Sequence, residues 1–123
     1  MEKPRDKSDA IEMLLQLSGQ RHQVFTGVAL VLQNRQGASY TSRHFYEQTW
    51  VKFGKLDNQQ IEAYVATGEP MDKSGAYGIQ GAGASLVESI EGCFYNVMGL
   101  PLHRFCCEVV DLVKSGELQL PSR

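Results

Sequence analysis

Arg21-His22-Gln23-Val24-Phe25-Thr26-Gly27-Val28-Ala29-Leu30-Val31-Leu32-Gln33 decides the fold class. After Gln23 the stretch is dominated by β-branched and large apolar residues, the composition of a strand buried on both faces. Gly27 interrupts it; a glycine inside a strand marks a bulge or a close approach by another group, and a structural role is expected here. Asn34-Arg35-Gln36-Gly37 then reads as a turn, so Ala38 to Phe53 is expected to return antiparallel. Tyr40, Phe45, Tyr46, Thr49, Trp50, Val51 and Phe53 give that return its β preference, while Arg43, His44, Glu47 and Lys52 supply polar faces. The centre of the chain is a long hairpin.

Helices are expected on either side of it. Asp6 to Gly19 starts with the capping residues Asp6, Ser8 and Asp9, carries Ala10, Ile11, Leu14, Leu15 and Leu17 at near-helical spacing, and stops at Gly19. Asp57 and Gln60 form a capping box, and Leu56 and Ile61 are spaced as a hydrophobic staple. Ile61, Tyr64 and Val65 are the buried side of that helix, Gly68 stops it and Pro70 prevents its resumption. Ala84 to Glu91 alternates as a strand ending at Gly92, and Phe94 to Leu100 is a short helix or turn. Pro101-Leu102 opens a last amphipathic helix whose apolar members are Phe105, Cys106, Val109, Val110, Leu112 and Val113, closed by Gly116. The fold class is α/β with a mixed or antiparallel sheet and flanking helices.

A chain of 123 residues is at most one domain. Its 42% hydrophobic and 21% charged content are ordinary for a globular protein. A net charge of −2 with mixed signs offers no basic patch for a nucleic acid polymer, though free nucleotides remain candidates. Cys93, Cys106 and Cys107 make an odd set without C-x-x-C spacing, which reads as reduced thiols in a cytoplasmic protein, with Cys106 or Cys107 partly in the core. His22, His44 and His103 are far apart and are read as having no second ligand at i+3 or i+4, so no zinc site is expected. No apolar run approaches a membrane span, and Met1-Glu2-Lys3-Pro4-Arg5 is not a secretory signal.

Thr67-Gly68-Glu69-Pro70-Met71-Asp72-Lys73-Ser74-Gly75-Ala76-Tyr77-Gly78-Ile79-Gln80-Gly81 has neither a helical nor a strand period, and holds four glycines, two acids, a lysine, a tyrosine and a glutamine. Ordering such a loop costs backbone entropy, so it reads as a site. Gly81-Ala82-Gly83 lacks the third glycine of a dinucleotide fingerprint, and no G-x-S-x-G nucleophile elbow occurs. Lys3, Glu47, Asp72, Lys73 and Gln80 are expected to converge at one end of the sheet. Lysines suit a polyphosphate, carboxylates suit Mg²⁺ alongside phosphate oxygens, and a glutamine amide can read a base edge. Against this, Lys3, Glu47 and Lys73 also fit solvated surface charges, and Tyr77 fits loop packing.

Lys3-Pro4, the His22 to Leu30 run, Tyr64 to Gly81, and Asn96-Val97-Met98-Gly99-Leu100-Pro101-Leu102 together resemble the Maf family of nucleoside triphosphate pyrophosphatases, related in fold to the inosine triphosphate pyrophosphatases. The resemblance runs from Glu2 to about Val113. It implies a mixed sheet with flanking helices, a nucleoside triphosphate substrate, and attack of water on the α-phosphorus with Mg²⁺ or Mn²⁺ present. By the same resemblance Lys3 faces the phosphates, Gln80 selects the base of dTTP- or UTP-like nucleotides, and Asp72, Lys73 and Tyr77 shape the loop, with Glu47 in support. Ser74 replaces the alanine usual in the family. No metal ligands are assigned, and the resemblance leaves room for a homodimer.

Family members carry a Ser-Pro-Arg-Arg loop and a Gly-Ala-Asp-Thr segment ahead of the lysine-proline pair, and neither motif occurs here. The expectation is therefore a partial Maf-like domain over residues 1–123, truncated at its N-terminus, with no identifiable catalytic residue and impaired activity. A catalytically inactive nucleotide-binding or protein-interaction module is the alternative, and a fragment unstable on its own is a third. Glu2-Lys3-Pro4 favours the eukaryotic branch in which a Maf domain is fused to a methyltransferase domain, although nothing after Val113 resembles one.

Overall fold

The structure, a computed structural model, describes residues 2–33, 39–73 and 75–119. Seven elements follow in order: α1 (Lys7–Leu17), β1 (Arg21–Gln33), β2 (Tyr40–Phe53), α2 (Asn58–Ala66), β3 (Val87–Glu91), α3 (Phe94–Met98) and α4 (Leu102–Lys114). Short 3₁₀ turns at Glu69–Asp72 and Ala82–Leu86 bracket the glycine-rich loop. The expected turn at 34–37 and the Ser74 substitution lie outside the described residues.

β1 and β2 pair antiparallel in continuous register from Arg21↔Lys52 to Gln33↔Tyr40, and β3 adds antiparallel to the far end of β2. The described sheet is thus antiparallel throughout, in the order β1-β2-β3. Gly27 sits in regular register opposite Tyr46, and a Cβ there would meet open space, so it marks neither a bulge nor a close approach. The irregularity falls instead between Lys52 and Phe53, where β3 shifts register. Nor is β1 buried on both faces. Its odd-numbered residues are exposed, and Phe25, Val31 and the cross-strand Tyr46 are 57%, 61% and 68% accessible. Apolar composition could not reveal this, because one bare and one covered face use the same β-branched residues when the bare face is not polar.

The core lies where α1, α2 and the end of the hairpin meet. Ala10, Leu14 and Leu17 of α1 pack with Ile61, Tyr64 and Val65 of α2, with Val51 and Phe53 of β2, and with Ala76, Tyr77 and Leu86 from the loop. Both helices begin as the sequence dictates. The Asp6 side chain accepts from Asp9 N, and Asp57 with Gln60 completes the capping box, each side chain holding the other's backbone N–H. Gly19 and Gly68 follow the ends of α1 and α2 with φ of +68° and +80°.

Two expectations in the C-terminal half are corrected. Residues 82–86 curl into a 3₁₀ turn, and only Val87–Glu91 is strand, because Ala84 N already bonds Gly81 O and buried Gly83 lies against Gly78 and Tyr64. Cys106 and Cys107 are exposed, and Cys93 is half-buried. On α4, Leu112 is the buried member, while Val110 is largely exposed. Arg43 and Arg104 both pair with Glu108, at 3.2 and 2.9 Å, and the Arg104 guanidinium stacks over Phe45 at 5.3 Å, which ties α4 to β2. Among the described residues no helix is long and apolar enough to cross a membrane.

Candidate functional site

A cavity of about 440 Å³ opens between the start of β1, the glycine-rich loop and the end of α3. That is within the size range of small-molecule sites. Val24 and Val97 give it an apolar floor, Glu69 and Lys73 come from the first 3₁₀ turn and the residue after it, and Tyr77 to Gly81 form a wall. Gln80 is exposed on the rim, where it also borders a second hollow of about 340 Å³ with Tyr95, Met98, Leu100 and Leu102. Gln80 therefore stands on a ridge, with charged groups on one side and an apolar shelf on the other.

The loop folds back on itself around two side chains. The Gly78 N–H donates to the Tyr64 hydroxyl at 3.0 Å, and the Gly83 N–H donates to Glu69 Oε2 at 3.1 Å. A Cβ on Gly81 would fall on the Glu69 carboxylate, and one on Gly83 would fall on the Gly78 carbonyl and the Tyr64 hydroxyl. Here the glycines are required for close approach. Burial raises the Tyr64 pKa well above its ordinary value, against the opposing effect of the Gly78 N–H; hydrogen bonding to Glu69 raises it further. The phenol therefore stays protonated. Gly75 and Ala76 both take left-handed φ, +83° and +69°, and for alanine that conformation is strained.

Tyr77 anchors the loop to the hairpin. Its hydroxyl lies 2.6 Å from His22 Nε2, and its ring meets Phe53 edge-on at 4.8 Å and His22 at 5.4 Å. Burial pushes the Tyr77 phenol up to about 12 and holds the His22 imidazole below its ordinary pKa. Among the described residues His22 Nδ1 is buried with no hydrogen-bond partner, so protonation would add a poorly solvated charge.

Of the residues expected to converge, Lys73 and Gln80 line the cavity together, and Tyr77, expected to shape the loop, lines it with them. Lys3 lies in a separate hollow with Glu2, Arg5, Asp9 and Met13, although the Glu2 carbonyl accepts from Gly75 N at 3.2 Å and so abuts the loop. Asp72 is exposed outside the cavity, and Glu47 offers its backbone carbonyl to Asn96 Nδ2. Sequence reasoning missed Glu69 and His22. For Glu69, a usable signal was a carboxylate just ahead of a run in which every second or third residue is glycine. It also missed that Cys107 stands four residues after His103, and the two approach to 3.5 Å on the exposed face of α4. Among the described residues no three His, Cys, Asp or Glu side chains gather to hold a metal.

Chemically, this arrangement can bind and discriminate. Lys73 offers a point charge for phosphate, the Gln80 amide offers a donor beside an acceptor, and the floor is apolar. Glu69, the carboxylate lining the cavity, accepts a hydrogen bond from the Gly83 amide on Oε2 and so also holds the loop.

Known proteins resemble this chain in sequence. The chain is 51% identical over 114 residues to a human protein named "Probable bifunctional dTTP/UTP pyrophosphatase/methyltransferase protein", covering 91% of the chain and 18% of that relative. It is 54% identical over 102 residues to a "dTTP/UTP pyrophosphatase" of Symbiobacterium thermophilum and 53% identical over 102 residues to one of Clostridium botulinum; each match covers 83% of the chain and 50% of the relative. The chain thus spans half the length of these bacterial relatives. The family model described as Maf-like protein matches residues 1–112, and the chain belongs to that family.

Proposed function

We propose that this chain supplies the nucleobase-reading wall of a Maf-type pyrophosphatase, which hydrolyses dTTP- and UTP-like nucleotides to the monophosphate and pyrophosphate. The observation that carries the reading is Gln80 on the rim of a 440 Å³ cavity whose wall also holds Lys73 and Tyr77. A uracil or thymine edge offers an N–H between two carbonyls, which a primary amide complements with one acceptor and one donor. In this reaction water forms a bond to the α-phosphorus, the bond from that phosphorus to the bridging oxygen breaks, and pyrophosphate leaves. Lys73, and Lys3 from its neighbouring hollow, are assigned to phosphate charge; Asp72 and Glu47 are assigned only supporting roles. The names of the relatives support the substrate class.

Among the described residues no three candidate ligands gather to hold a metal ion, and Glu69 is the one carboxylate lining the cavity. No step is derived through such an ion, which enters this reading only as the counter-ion of the triphosphate. A second reading is nucleotide binding without turnover by these 123 residues, favoured by a cavity lining with a single carboxylate, which also serves to hold the loop. A cytoplasmic location is part of the proposal, in keeping with three free cysteines.

Calorimetry and pyrophosphate release with dTTP, UTP, CTP and ATP test both readings. Tighter binding of dTTP and UTP, weakened about tenfold by Gln80→Ala, is expected from one bidentate contact. Release above buffer separates the enzyme from the binding module. Absence of binding by all four nucleotides overturns both.

A further inference from the structure

We infer that Glu69 is the positioning residue of the base-reading loop, fixing where the Gln80 amide meets the nucleobase. The inference rests on the reading of the cavity as a nucleobase site, but its structural half does not. The segment carrying Gln80 is fastened on both sides. Before it, the Gly78 N–H bonds the Tyr64 hydroxyl, and after it, the Gly83 N–H bonds Glu69 Oε2. Between them Gly81 passes so close to the carboxylate that it has no room for a side chain. Gly78 is less confined: a Cβ there would meet Lys73 Cε at 3.1 Å, the end of a flexible side chain, and Glu69 Oε1 at an ordinary 3.5 Å.

Glu69 is itself held. Its N–H donates to Thr67 Oγ1 at 3.2 Å, and the Thr67 hydroxyl donates to the Tyr64 carbonyl at 2.6 Å, so the backbone that carries the carboxylate is tied to the end of α2. Two side chains thus connect α2 to the segment carrying Gln80, Tyr64 ahead of it and Glu69 behind it, and Glu69 alone holds the return of the loop at Gly83. Removing the Glu69 side chain frees the Gly83 amide and lets the return of the loop move, while leaving the Gln80 side chain intact. A carboxylate in this place acts through the loop and is not a catalytic residue.

The test uses the full chain with Glu69→Ala, Glu69→Gln and Gly81→Ala. Gly81 has φ −102°, open to alanine, so its substitution should act by displacing the carboxylate rather than by straining the backbone. Amide exchange measured by NMR comes first and needs no nucleotide. Glu69→Ala and Gly81→Ala should each speed exchange at Gly83 at least tenfold, the double variant should be no worse than either, and Glu69→Gln, which keeps a carbonyl acceptor, should restore part of the protection. Unchanged protection at Gly83, or additive effects in the double variant, overturns the positioning role. The ratio of UTP to CTP affinity comes second. It should fall about tenfold in Glu69→Ala, whereas a residue that merely stabilises the fold would weaken both nucleotides alike, and that outcome also overturns the inference. If the unsubstituted chain binds no nucleotide, the base-reading half falls with the proposed function, and the exchange data still decide whether Glu69 fixes the loop.

Discussion

Two polar side chains each fasten an irregular segment to the hairpin–helix framework, and they do so in opposite surroundings. Asn96 on α3 is fully buried, and its Nδ2 reaches Val24 O at 3.1 Å, Glu47 O at 3.2 Å and Thr49 Oγ1 at 3.0 Å. Thr26 and Thr49 complete the node by donating to the carbonyls of Asn96 and Cys93. Glu69, by contrast, borders an open cavity. Around buried Asn96 and Thr49 water is a poor substitute for a lost partner, so the hydrogen bonds there hold the fold together; beside the cavity water can enter, so those of Glu69 chiefly set the shape of the cavity wall.

The largest expected effect is therefore at Asn96. Asn96→Ala removes the side-chain donor to two backbone carbonyls and to Thr49 and opens a small void, and should destabilise the chain by about 2–4 kcal/mol in urea denaturation. Asn96 Oδ1 is already buried without a partner, which lowers the net value of the node and argues for the lower half of that range. A loss below that of a helix cap such as Asp57→Ala, about 1 kcal/mol, would break the contrast between the nodes. Tyr64→Phe comes next. It deletes the acceptor of the Gly78 N–H, and because the ring stays packed beside Ile61 and Val65 in the core, about 1–2 kcal/mol is expected, with faster exchange at Gly78. No change at Gly78 would mean that the loop is held by its ring contacts alone.

What the sequence disclosed follows the same division. The strand Arg21–Gln33 and the capping box at Asp57 and Gln60 were legible residue for residue, because β-branched runs and caps are local chemistry. The fold-back at Gly78 and Gly83 was not. Ala84 to Glu91 alternates like one strand, and nothing local reveals that Tyr64, nineteen residues before Gly83, puts its hydroxyl where a Cβ on Gly83 would be. For the same reason Gln80, Lys73 and Tyr77 were singled out by residue type, while Glu69, beside a proline and three residues after the end of α2, was given no role of its own. Lys3 shows the converse: its charge was legible, but not its place in a separate hollow.

A smaller effect should come from pH. The pKa of His22 is lower in the folded chain than in the unfolded one because its ring is buried against Tyr77 and Phe53. The unfolded state therefore takes up the proton first. Stability is fully present above about pH 6.5, the ordinary histidine value, and falls as pH drops from there toward the folded-state pKa. His22→Gln should flatten that part of the stability profile, read from thermal midpoints between pH 5 and 8. A profile left unchanged would detach His22 from the energetics of the loop.

The smallest effect is expected on the bare face of the sheet, which has neither kind of node. Val31 is 61% exposed and faces outward with Phe25 and Tyr46 on β1 and β2. A surface position without partners tolerates substitution within about 0.5 kcal/mol, so Val31→Lys should leave the urea midpoint nearly unchanged at every protein concentration. Concentration is the variable that makes this informative. If a second copy covers the face, the unsubstituted chain gains stability as protein concentration rises, by mass action, and Val31→Lys abolishes the gain. The apolar composition of β1, which predicted burial on both faces, would then describe the assembly rather than the single chain.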